Sequence, residues 1–213
     1  MRTLTLALLV VIIVLSSSCG APLVEVPLPE LDGVTEVLGY SLAPTHMPDS
    51  FEFDQYEVLN LEPGAIQPDD QVVMPLGEPY AMVVYRELNH HVFIQYPQSF
   101  SPSVSDDFLL ERLGIEWRRP DDAVSEVKVN GKTAYLVRGS WSAETLAKLQ
   151  RLDPDLPEYT PKWDYEMYLS LFFDFELSTN ETIGVMIWAM LYPEDWITAK
   201  EMVAIAESLQ RVD

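Results

Sequence analysis

The sequence predicts an α+β fold: a twisted antiparallel sheet of five to eight strands with a C-terminal helix packed on it and one or two short helices. Three observations carry that expectation. From Met167 to Leu177 every odd residue is apolar, while Ser170, Asp174 and Glu176 occupy even positions. A period of two means a strand with one buried and one largely wet face. Asn130-Gly131 sits between strand-like flanks in Glu126–Val137 and supplies the two positive φ values of a type I′ hairpin turn. Thr198 and Glu201 have the spacing of a capping box, and Met202, Ile205, Ala206 and Leu209 then fall on one face at helical spacing.

The elements follow in chain order. Met1-Arg2 is a minimal charged start, Leu4–Leu15 is apolar except for Thr5, and Ser16, Ser17 and Ser18 precede Cys19. A charged start, a short apolar run and small residues form the layout of a secretory leader, expected over residues 1–18. The apolar run of 12 residues is short of the roughly 20 that a spanning helix needs. Pro22, Pro27 and Pro29 punctuate a stretch without helical period, so residues 19–36 are expected to be an extended tether. A single domain is expected over 37–213.

Within that domain Phe51–Leu59 alternates loosely as a strand. The stretch from Glu62 to Gly77 holds Pro63, Gly64, Pro68 and Pro75 and is expected as loop, with a short strand at Val72-Val73. Tyr80–Glu87 and His91–Tyr96 suit an antiparallel pair. Asp106 and Asp107 favour a helix start near Ser105, running to Leu113. A second short helix is expected over Ser142–Leu152. Ile183–Tyr192 is apolar on both faces, as in a central strand with cover on its second side.

Charge narrows function. With 34 acidic and 13 basic residues the formal charge is −21, which repels nucleic acid and anionic lipid head groups. No nucleic-acid partner is expected.

Cys19, the single cysteine, stands directly after small residues, and the segment resembles the lipobox of bacterial lipoproteins. It departs from the usual pattern in having Ser16 where Leu is customary and Leu15 one residue early. That resemblance implies lipid attachment at Cys19 and a domain held on the extracytoplasmic side of the cell membrane, with the membrane as a partner through the lipid. An uncleaved anchor over Thr3–Val24 is the alternative. The Asn130-Gly131-Lys132 hairpin, Trp188, the closing run Ile205–Leu209 and the early Pro44…Pro48-x-x-Phe51 spacing resemble an uncharacterised bacterial extracytoplasmic domain. That domain is found in lipoproteins or fused behind anti-sigma-factor-like segments. It is also remotely similar to the half-barrel folds of periplasmic lipoprotein carriers and sigma-regulatory sensors. The resemblance implies no catalytic residue.

Candidate chemistry is sparse. His90 and His91 are adjacent and in a strand would point to opposite faces, while His46 is remote, so no metal site is expected. The acidic pairs Asp69-Asp70, Asp106-Asp107 and Asp121-Asp122 lack the spacing of a calcium loop. Neither a nucleophile elbow nor a phosphate loop is present, so no cofactor and no enzymatic activity are expected. Five Trp and ten Tyr suit core packing first. Trp141 and Trp163, which flank loops, are candidates for an aromatic groove holding an apolar or peptide ligand. The expected role is a binding or sensing module. A carrier for lipid or lipoprotein is the alternative, needing an apolar cavity between sheet and helix where Phe172, Met186, Trp188 and Met190 do not fill it. A hydrolase ranks third.

Overall fold

A computed structural model describes residues 22–59, 79–98, 119–151, 155, 158–191 and 196–212. The main sheet has seven antiparallel strands: β4 (Glu52–Leu59), β5 (Tyr80–Glu87), β6 (His90–Tyr96), β7 (Val124–Val129), β8 (Lys132–Trp141), β9 (Trp163–Ser178) and β10 (Glu181–Met190). Their spatial order is β4-β5-β6-β10-β9-β8-β7. Two meanders therefore join where β10 runs beside β6. Two small ribbons accompany the sheet: β1 (Leu23–Glu25) with β3 (His46–Pro48), and β2 (Ser41–Pro44) with β11 (Leu209–Val212). The helices are α1 (Asp32–Leu38), α2 (Ala143–Gln150) and α3 (Ala199–Glu207), with a 3-10 turn at Asp121–Ala123.

The hydrophobic core occupies one face of the sheet. Val83, Tyr85, Ile94, Tyr96, Leu136, Leu171, Val185 and Ile187 are buried there by strand parity. Opposite them, in the same cluster, lie Leu31, just before α1, Val34 from α1, Leu42 from β2, Met47 from β3, and Met202 and Ile205 from α3. The Tyr96 hydroxyl fastens the two layers: it accepts from Leu42 N at 2.9 Å and donates to Leu42 O at 3.2 Å. At α1 the approach to the sheet is close, since a Cβ on Gly33 would lie 2.7 Å from the Tyr56 hydroxyl. Beyond β10, Trp196 stacks on Phe51 with ring centroids 5.3 Å apart and donates to Met190 O.

The antiparallel sheet and the C-terminal helix are as expected, and so are the hairpin and the cap. Asn130 and Gly131 have φ of 49° and 78°. Thr198 Oγ1 accepts from Glu201 N at 3.2 Å while Glu201 Oε2 accepts from Thr198 N at 2.7 Å.

Other expectations are corrected. Residues 22–36 are built into the domain: β1 pairs with β3, and Leu31 and Val34 are buried in the core. Leu31, Val34 and Leu38 have helical spacing, and burial of that stripe outweighs the prolines, which fall outside α1. The C-terminal helix ends at Glu207, and Leu209 belongs to β11, whose register places it opposite Pro44. Strand β9 begins at Trp163, four residues before the alternating run. The expected leader over 1–18, Cys19, the loop and strand of 62–77, and the helix over 105–113 lie outside the described residues. Among the described residues no helix is long and apolar enough to cross a membrane.

Candidate functional site

Strand parity sends a second set of large side chains to the sheet face away from α3. Trp188 on β10 pairs with Phe93 on β6 and Ser170 on β9, and Met186 pairs with Gln95 and Phe172. These residues alternate with Val185, Ile187 and Ala189, which belong to the core. The expectation that Phe172, Met186, Trp188 and Met190 border the space between sheet and helix is thus reversed. Their even positions put them on the opposite face. The space beneath α3 is filled by Met202, Ile205, Ala206 and the core side chains of β9 and β10.

On this outer face four rings form a ladder across three strands. Phe93 and Trp188 lie parallel, 3.9 Å between centroids and 9° between planes. Tyr168 meets Trp188 edge-on at 5.6 Å and 79°, and His91 stacks on Phe93 at 5.8 Å. Such pairs add to the stabilisation from buried area. The Trp188 indole Nε1 is buried without a hydrogen-bond partner among the described residues. A buried donor left unmade costs free energy that an arriving acceptor would return.

On the same face a groove of about 360 Å³ opens between β8, β9 and β10, lined by none of the four ladder rings. Its walls include Tyr135 and Phe172, which are register partners, with Thr133, Asp174 and Gln98 as polar rim. Gly184, opposite Asp174, adds no side chain, and its carbonyl accepts from Gln98 N at 2.8 Å. The groove pairs apolar walls with a few convergent polar groups, the usual constitution of a small-molecule or peptide site.

The sequence-predicted pair Trp141 and Trp163 is brought together, but inside strands. They are register partners at the ends of β8 and β9 and meet edge-on at 5.1 Å and 82°. Trp163 Nε1 donates to Arg138 O at 3.0 Å. The bulge between Arg138 and Ser140 makes this possible: Gly139 has φ of 96°, and a Cβ there would collide with Trp163 Nε1 and the Asp164 carbonyl. The pair packs ring against ring at a strand end, and neither ring lines the groove described above. Parity in the odd–even run of β9 is the signal that could have placed Phe172 on the outer face.

Burial raises the Tyr85 and Tyr96 hydroxyls above the ordinary tyrosine range on the core face. At the surface the hydrogen-bonded Lys162 holds Glu144 low, and the hydrogen bond to Asp122 raises Tyr165. Among the described residues no cluster of His, Cys, Asp or Glu could hold a metal ion. His90 and His91 are spent on separate ring contacts, His90 with Trp196 and His91 with Phe93.

Comparison with protein-family models, curated proteins and solved structures finds no match to this chain.

Proposed function

We propose that this chain is a non-enzymatic extracytoplasmic binding or sensing module, held at the cell membrane by a lipid on Cys19. In this reading it takes an apolar or peptide ligand on the outer face of its sheet. The observation that carries the binding part is the groove walled by Tyr135 and Phe172, on the sheet face that also carries the aromatic ladder. The leader-like start and Cys19 support the address. The carrier reading is the weaker one, because it needs an open cavity under α3 and that space is filled by core side chains.

Two measurements test the two parts. Labelled palmitate should enter the full-length chain, and Cys19→Ala should abolish both labelling and membrane retention. An unlabelled wild-type chain removes the lipoprotein reading. Native mass spectrometry of the protein purified from its own membrane should show a ligand adduct that Phe172→Ala, which removes one wall of the groove, reduces. Equal adduct on both proteins removes the groove as the site.

A further inference from the structure

We propose that β7 is a self-association edge, at which two copies of this chain pair antiparallel about Val127 and continue one sheet through both molecules. The sheet has two end strands, β4 and β7, and an end strand presents unpaired N–H and C=O groups to any strand that fits.

The two edges are built differently. Strand β4 is interrupted by a bulge between Phe53 and Gln55 and carries Glu52, Asp54 and Glu57. A second copy laid along it would set acids near acids, and bulge and charge together blunt such an edge. Strand β7 is six residues of unbroken register, Val124 opposite Val137 through Val129 opposite Lys132, with no proline. Its one acid and one base, Glu126 and Lys128, are two residues apart and exposed.

The hairpin sets the phase of the free groups. A two-residue turn at Asn130-Gly131 makes Val129 and Lys132 a hydrogen-bonded pair, and every second pair behind it follows suit. Val129, Val127 and Ser125 therefore spend their backbone groups on β8. Those of Glu126 and Lys128 point outward, and among the described residues no strand receives them, while the Val124 N–H is bonded to the Asp121 carbonyl.

Only some registers suit that phase. A twofold axis at Val127 sets Glu126 opposite Lys128 of the second copy, and Lys128 opposite its Glu126. Each of those residues has its backbone groups free, so each pair forms both ladder bonds and an ion pair. Val127 meets its own copy at the close, non-bonded position, on the core side where it is already half-buried. An axis at Glu126 or at Lys128 would oppose like charges. An axis between two residues would set an outward-facing residue against an inward-facing one and break the ladder.

The test uses the full-length chain in its membrane under mild oxidation. Residues opposed at a non-bonded antiparallel position have Cα atoms about 4.5 Å apart, within reach of a disulfide. Val127→Cys should give a covalent dimer well above the level set by the parent chain, which holds only Cys19, and by Gln55→Cys on the opposite edge. Co-expressed Glu126→Cys and Lys128→Cys chains should cross-link more than either alone. Cross-linking of Val127→Cys at the control level overturns the proposal. Charge reversal then tests the register by sedimentation: E126K and K128E singly should each weaken association by about tenfold, and the E126K/K128E double variant should restore it. A double variant as weak as the singles overturns the register.

Discussion

Tyr85 and Tyr96 lie on neighbouring strands, both fully enclosed on the core face, yet they differ in one respect. The Tyr96 hydroxyl has two backbone partners on Leu42, and the Tyr85 hydroxyl has none. Tyr96→Phe leaves the Leu42 N–H without an acceptor and should cost about 1–3 kcal/mol. Tyr85→Phe removes an unsatisfied group and should be neutral or stabilising, within about 1 kcal/mol of wild type. Urea denaturation of the two variants checks the contrast. Both hydroxyls are raised above the ordinary tyrosine value by burial. Unfolded tyrosines ionise near pH 10 while these stay neutral in the fold, so the unfolded state binds fewer protons above that pH. Stability should be complete below about pH 10 and fall as pH rises beyond it. Denaturation series at pH 9 and above should show the decline, and a smaller slope in Tyr85→Phe.

At the scale of elements, local chemistry decides what is legible. The alternation of β9, the Asn130-Gly131 turn and the capping box each reside within a dozen residues, so each can be read directly. Strands β1 and β11 are three and four residues long, and β11 owes its existence to β2, on the other side of the chain. Leu209 fits a helical stripe as well as a strand, and only the pairing with Pro44 decides it. The candidate groove is half legible for the same reason. Parity separates Phe172 from Leu171, but nothing local says which face α3 will cover. Thr198→Ala removes the capping acceptor and should cost about 1 kcal/mol. Gly139→Ala should cost about 2 kcal/mol or more, because positive φ and contact with Trp163 oppose it together. Gly131→Ala meets nothing within 4 Å and bears the φ penalty alone, about 1 kcal/mol. Thermal melts followed by circular dichroism should rank the three in that manner, with Gly139→Ala lowest.

For the whole molecule, charge is the dominant long-range fact. A formal charge of −21 acts against compactness through self-repulsion. Exposed ion pairs such as Lys162–Glu144 and Arg86–Asp54 contribute little against it. Raising salt from about 0.01 to about 0.15 M shortens the Debye length from about 30 to about 8 Å, and the melting temperature should rise. A fall on adding salt would mean that local pairs outweigh the global repulsion.

The ribbon of β2 and β11 has a consequence for the order of assembly. Ser41 donates to the carbonyl of Val212, 171 residues away, and β2 has no other strand partner among the described residues. Strand β6 likewise waits for β10 on one side. A ribosome or a translocation channel delivers the chain from its N-terminus, so the β6 seam stays open until β10 emerges and the β2 seam until Val212 does. The two meanders can pair as they emerge, but the layer that holds them together is completed last. A chain delivered through a narrow pore would therefore travel without its finished core for almost its whole length.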